Sequence, residues 1–121
     1  MKRENALLNK VRLAMKAHGA SCHRYHGSAY GERGHSDLYG TIRRQGTDEG
    51  SFYGVPYYLE IKAPGKLSTL KPWQEAFLEE ERRHGAMTGV IDSLEALQAF
   101  LDRVFPVRLS TGEVVAGREE T

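Results

Sequence analysis

The segment Tyr58-Leu59-Glu60-Ile61-Lys62 changes between apolar and charged at each of its last four residues. No other feature of the chain constrains its fold as tightly. In an extended strand the period of two puts Leu59 and Ile61 on one face and Glu60 and Lys62 on the other. The apolar face then requires a core beneath it, while the charged pair shares an opening on the far side. Asp37 to Arg44 and Val55 to Lys62 are both strand candidates, the second rich in tyrosine and β-branched residues. The link between them, with Gly46, Gly50 and Gly54, is short enough for an antiparallel hairpin.

Around this pair the spacing predicts helices and short strands. Arg3 to His18 places Leu8, Val11 and Met15 at helical intervals, with Leu7 and Ala14 widening the stripe and Gly19 suited to ending it. Ser21 to His26 is a short polar and aromatic strand candidate, and residues 27–34 hold three glycines and read as a loop. After a turn at Ala63-Pro64-Gly65, a helix runs from about Pro72 to His84 and stops at Gly85. Met87 to Ile91 is a short apolar strand. Asp92 and Glu95 form an Asp-x-x-Glu variant of the capping box before a helix striped by Leu94, Leu97, Leu101 and Val104. Beyond Pro106, Val107-Arg108-Leu109 and Glu113-Val114-Val115 flank Ser-Thr-Gly as a small hairpin. The order αβββαβα implies an α/β fold, a mixed sheet flanked by helices.

A chain of 121 residues builds one core and not two, so residues 1–105 are expected to form one domain and 106–121 an extension. The single cysteine, Cys22, excludes an internal disulfide and fits a reducing compartment such as the cytoplasm. The N-terminus does not read as a signal peptide, and no apolar run reaches membrane-spanning length, so no membrane partner is expected. The formal net charge of +1 conceals a division. Residues 1–72 carry twelve Lys or Arg against six Asp or Glu, and residues 73–121 carry five against ten, giving halves of +6 and −5. The positive half also holds Asp37 and Glu60, which draws a polyanion toward acidic metal ligands.

Phosphodiester hydrolysis needs charge neutralisation, an activated water and stabilisation of the leaving oxygen. Mg²⁺ serves all three and is held by one or two carboxylates, with water and phosphate oxygens completing its shell. Asp37 and Glu60 can supply those carboxylates from neighbouring strands, and Lys62 can orient the water or offset charge on the phosphorus centre. Glu4 lies at the end of the first helix's apolar stripe, so it is either a further ligand or an acidic residue favoured by the helix dipole. Gln74, in the first turn of the second helix, can hold the lysine or a phosphate oxygen. Trp73 and Phe77 are expected to pack in the core. Arg24, Arg33, Arg43, Arg44, Lys66 and Lys71 surround the proposed site in sequence and are candidates for DNA-backbone contacts. Cys22, His23, His26 and His35 match no common zinc spacing, and Gly65-Lys66-Leu67-Ser68 lacks the residues of a Walker loop.

Taken in order, an early Glu on an N-terminal helix, glycines before Ser36-Asp37-Leu38-Tyr39-Gly40, then Glu60-Ile61-Lys62 with Gly65-Lys66-Leu67-Ser68, Gln74 and Phe77-Leu78, and finally Gly85-Ala86 form an ordered pattern. This pattern resembles the VRR-NUC branch of the PD-(D/E)XK nuclease superfamily, over roughly residues 4–101. The resemblance implies a restriction-endonuclease-like fold and a DNA endonuclease dependent on Mg²⁺ or Mn²⁺, with Asp37, Glu60 and Lys62 at the catalytic positions. It adds the backbone carbonyl of Ile61 as a metal ligand, and Glu4 and Gln74 as auxiliary positions. Small stand-alone members resemble phage or bacterial proteins that form homodimers and act on branched DNA such as Holliday junctions. Ser36 departs from the proline that commonly precedes the aspartate, and the stretch from Ser68 to Trp73 is longer than the family spacing. The alternatives are a non-catalytic junction-binding module and a small nucleotide phosphohydrolase.

Overall fold

The computed structural model describes residues 2–25, 34–105, 107–108 and 114–115, with the backbone alone for 2–4 and for those after 105. Helix α1 spans Lys2–Ala17 and is followed by strands β1, His23–Arg24, β2, Leu38–Gln45, and β3, Phe52–Ile61. A 3₁₀ turn at Leu67–Thr69 leads to α2, Pro72–Arg83, then β4, Met87–Ile91, and α3, Leu94–Val104. The first four strands form one sheet in the order β1-β2-β3-β4. Pairing is antiparallel from β1 to β3 and parallel between β3 and β4, so the sheet is mixed. The parallel pairing requires a crossover, and α2 provides it. A separate two-stranded pair joins β5, Val107–Arg108, to β6, Val114–Val115. Among the described residues no helix is long and apolar enough to cross a membrane.

The principal core lies on one face of the sheet. Leu7, Leu8, Val11 and Met15 of α1 and Leu97, Phe100, Leu101 and Val104 of α3 cluster with Leu38, Ile42, Tyr57, Leu59, Ile61 and Ile91 of the strands. The period of two thus places Leu59 and Ile61 against this core, as their alternation requires. Helix α2 covers the opposite face, where Phe77 meets the Tyr58 ring edge-on at 5.4 Å. Gly40 permits a close approach on the core side, because a Cβ there would lie 2.1 Å from the Ser21 carbonyl oxygen. That carbonyl accepts the hydroxyl of fully buried Tyr57 at 2.7 Å, and burial pushes the phenol's pKa up.

Three local expectations are corrected. Ser93 caps α3, its hydroxyl accepting the Ala96 N–H at 3.0 Å, where Asp92 was expected to do so. Both residue types cap helices, and the chain enters one residue later than the pattern indicates. Trp73 is exposed and not packed in the core, while Phe77 is buried. The charged face of β3 is not an open one, because α2 lies over it and Glu60 is only 3% exposed. Of the anticipated loop at residues 27–34 only Gly34 is described, and Leu109 and residues 110–113 of the anticipated hairpin lie outside the described residues.

Candidate metal and phosphate site

Three elements meet at the C-terminal end of β3. The loop entering β2 carries Asp37, β3 carries Glu60 and Ile61 with Lys62 just beyond, and the first turn of α2 carries Gln74. Gly34 brings the loop to the helix. It adopts φ +87°, and a Cβ on it would lie 2.4 Å from the Trp73 carbonyl oxygen, so only glycine lets the two backbones approach this closely. Ser36, fully buried, then fixes the loop by donating its hydroxyl to the Leu38 carbonyl at 2.9 Å.

Asp37 turns toward β3, where its Oδ2 accepts the Ile61 N–H at 2.8 Å. The next amide points the other way, since the Lys62 N–H donates to the Ile91 carbonyl on the β4 side at 2.9 Å. The N–H and C=O of one strand residue lie on the same edge, so the Ile61 carbonyl is directed to the Asp37 side. Burial raises the Asp37 pKa above its ordinary value. The Ile61 N–H, the charges of Lys62 and Arg24, and a contact with the Glu60 carboxyl oppose the rise without cancelling it. Two carboxyl groups therefore stand close enough to interact in a partly dehydrated place.

Gln74 organises the other side of Glu60. Its Nε2 donates to Glu60 Oε2 at 2.8 Å, while its Oε1 accepts from Lys62 Nζ at 3.1 Å and from the Lys71 N–H at 2.8 Å. The opposite amide orientation would set an NH₂ group against an ammonium and an N–H, so the network determines which way the amide faces. Lys62 Nζ also lies 3.4 Å from Glu60 Oε2. The pair offsets the cost of enclosing a carboxylate, which is the chief effect of an ion pair so far out of water.

The donors present suit a hard divalent cation. Two carboxylates and the Ile61 carbonyl edge are all-oxygen ligands of the kind Mg²⁺ and Mn²⁺ take, leaving other positions for water and phosphate oxygens. Among the described residues no group of three His, Cys, Asp or Glu side chains is placed to hold one ion. The Glu4 backbone lies in α1, and its side chain falls outside the described residues, as does Arg33.

The anticipated basic residues divide. Arg24, on β1, acts electrostatically on Asp37, and Lys71 touches the site through its N–H to Gln74. Lys66 lies at the exposed turn after β3. Arg43 and Arg44 are not at the site. They pair with Gly54 and Tyr53 toward the far end of the hairpin, six or seven residues along β2 and about 20 Å from Asp37 at ~3.3 Å per residue. There the Arg43 guanidinium lies 4.0 Å from the centre of the Phe52 ring.

Sequence reasoning missed an aromatic block beside the acidic pair. The His35 ring stacks on Tyr25 at 3.8 Å, lies 4.7 Å from Phe77 and meets Tyr39 and Tyr58 edge-on. Its Nδ1 is 2.9 Å from the Ser36 carbonyl, which only accepts, so that nitrogen carries a proton. The block fills the space between the sheet and α2. Its sequence signal was His35 a few residues ahead of Tyr39, with Tyr58 on the neighbouring strand. Comparison of the chain with protein-family models, with curated proteins and with solved structures found no match.

Proposed function

We propose that the protein is a metal-dependent DNA endonuclease of the VRR-NUC type that hydrolyses phosphodiester bonds. The reading rests on one observation, the convergence of Asp37, Glu60, Ile61, Lys62 and Gln74 from three separate elements at the end of β3. Asp37, Glu60 and the Ile61 carbonyl would hold Mg²⁺ or Mn²⁺, which when bound supplies a Lewis acid for the phosphate and lowers the pKa of a water. Lys62 orients that water or balances charge on the phosphate oxygens. Gln74 keeps Lys62 and Glu60 in register. Lys71 and Arg24 flank the path of the backbone and hold it without reading bases.

One such site per chain cuts one strand at a time. Severing both strands of a branched DNA, such as a four-way junction, therefore calls for a homodimer, acting in the cytoplasm of a bacterium or a phage-infected host. A second reading, a junction-binding module without catalysis, is favoured by the partners that already engage Glu60 Oε2, Gln74 at 2.8 Å and Lys62 at 3.4 Å.

The two are separated by incubating labelled linear, single-stranded, flapped and four-way DNA with Mg²⁺, Mn²⁺ or EDTA. The endonuclease cuts only with metal and prefers branched forms, and Glu60→Gln and Lys62→Ala each lower the rate about a thousandfold, the scale of losing several kcal/mol of charge stabilisation. Cleavage that survives either substitution or EDTA removes the proposed centre. Binding with no cleavage in any metal leaves the module.

A further inference from the structure

We infer that a second phosphate-binding site lies beside the acidic centre, in a recess between α1 and the β1–β2 edge of the sheet, and that it receives another phosphodiester of the strand entering that centre. The inference rests on the nuclease reading and adds to it a subsite on a helix that reading does not use.

The recess has a volume of about 710 Å³, and its lining includes Arg12, Lys16, Cys22, His23, Arg24 and Tyr39. Arg12 and Lys16 are four apart and share one side of α1, while His23 and Arg24 are the whole of β1. Three basic side chains and a histidine therefore meet in one hollow. Among the described residues no carboxylate lines it, so this is not an internal salt-bridge network. The Arg12 Nε–H is enclosed and has no hydrogen-bond acceptor among the described residues. A phosphate held in the hollow would take charge-assisted hydrogen bonds from the guanidinium and ammonium groups lining it and neutralise their charge.

Position links the recess to the acidic centre. The Tyr25 N–H, one residue past β1, donates to the Asp37 carbonyl at 2.9 Å. Arg24 both lines the recess and acts on the Asp37 carboxyl. A polyanion with one phosphate at Asp37 and Glu60 thus has its next favourable position at Arg24, and beyond it at Lys16 and Arg12. A lone phosphate would leave most of the hollow unfilled.

The test measures binding of labelled duplex and four-way DNA to the full chain in EDTA, by anisotropy, from about 0.05 to 0.2 M salt, where each phosphate contact adds about 0.9 to the slope of log K against log salt. Lys16→Ala and Arg24→Ala, both exposed and tolerable to the fold, and Arg12→Gln each lower that slope by about 1. Lys10→Ala, on α1 but outside the recess, leaves it unchanged. Slopes for the recess variants equal to that of Lys10→Ala overturn the inference, and so does a wild-type chain that binds no DNA. Cleavage with unaltered slopes discards the recess and keeps the nuclease. Recess-dependent binding without cleavage in Mg²⁺ or Mn²⁺ keeps the recess and discards the nuclease.

Discussion

The side-chain amide of Gln74 joins Glu60 to Lys62, donating to the carboxylate at 2.8 Å and accepting from the ammonium at 3.1 Å. Two charges on one strand face are therefore held in place by a neutral group on a helix, and the same amide oxygen takes the Lys71 N–H at the helix entrance. Gln74→Ala leaves Glu60 and that N–H without these partners, and the expected loss is about 1–3 kcal/mol of stability in urea unfolding. Gln74→Glu, which sets a third carboxyl against Glu60, should lose more at pH 7 than at pH 5. A variant as stable as wild type would show that the network is incidental.

Gly34 holds the Asp37 loop against the start of α2. Alanine there meets both a left-handed φ of +87° and a carbonyl oxygen 2.4 Å away. Together these predict a loss of about 3 kcal/mol. Because Trp73 is the only tryptophan and its carbonyl is the obstacle, its fluorescence should change with Gly34→Ala before unfolding begins. An unchanged spectrum with unchanged stability would contradict the close approach.

Asp37 has a folded-state pKa raised by burial, so the folded chain binds that proton more tightly than the unfolded one. Its contribution to stability is fully present below the ordinary carboxyl value of 3.8 and is lost as pH rises through the raised one. Asparagine keeps an oxygen to accept the Ile61 N–H and carries no charge. In EDTA, Asp37→Asn should therefore melt above wild type at pH 7, by a margin that narrows as pH falls toward 4. A margin of opposite sign, or one independent of pH, would refute the assignment.

The start of α3 discriminates between two neighbouring caps. Ser93→Ala should cost about 1 kcal/mol, the usual loss on removing a capping hydroxyl. Asp92→Ala should cost less, and thermal melts of the two variants decide the order.

These residues also show what a sequence can convey. That Glu60 and Lys62 share a face follows from the period of two, and Pro72 and Gly85 bracket α2 through their own backbone preferences. The burial of Glu60 does not follow, because its cover comes from a residue fourteen positions away whose placement depends on the crossover. Ser93 and Asp92 are equivalent in type, so only the path of the chain separates them. Arg43 and Arg44 look close to Asp37 in sequence, yet an extended strand carries them away at more than twice the rise of a helix. The recess at Arg12 was hidden because it joins residues of three elements, α1, β1 and β2, that carry no common motif.

The two partners of β3 are offset along its length. It pairs with β2 from Phe52 to Leu59, but with β4 only from Tyr57 to Ile61. Amide hydrogens near Arg43 and Tyr53 should consequently exchange with deuterium through local opening, whereas those of Leu59 and Ile61 should wait for rupture of the whole domain. A single ten-residue strand would then display two exchange regimes, with the acidic centre at the slow end and the hairpin tip free to fray without disturbing it.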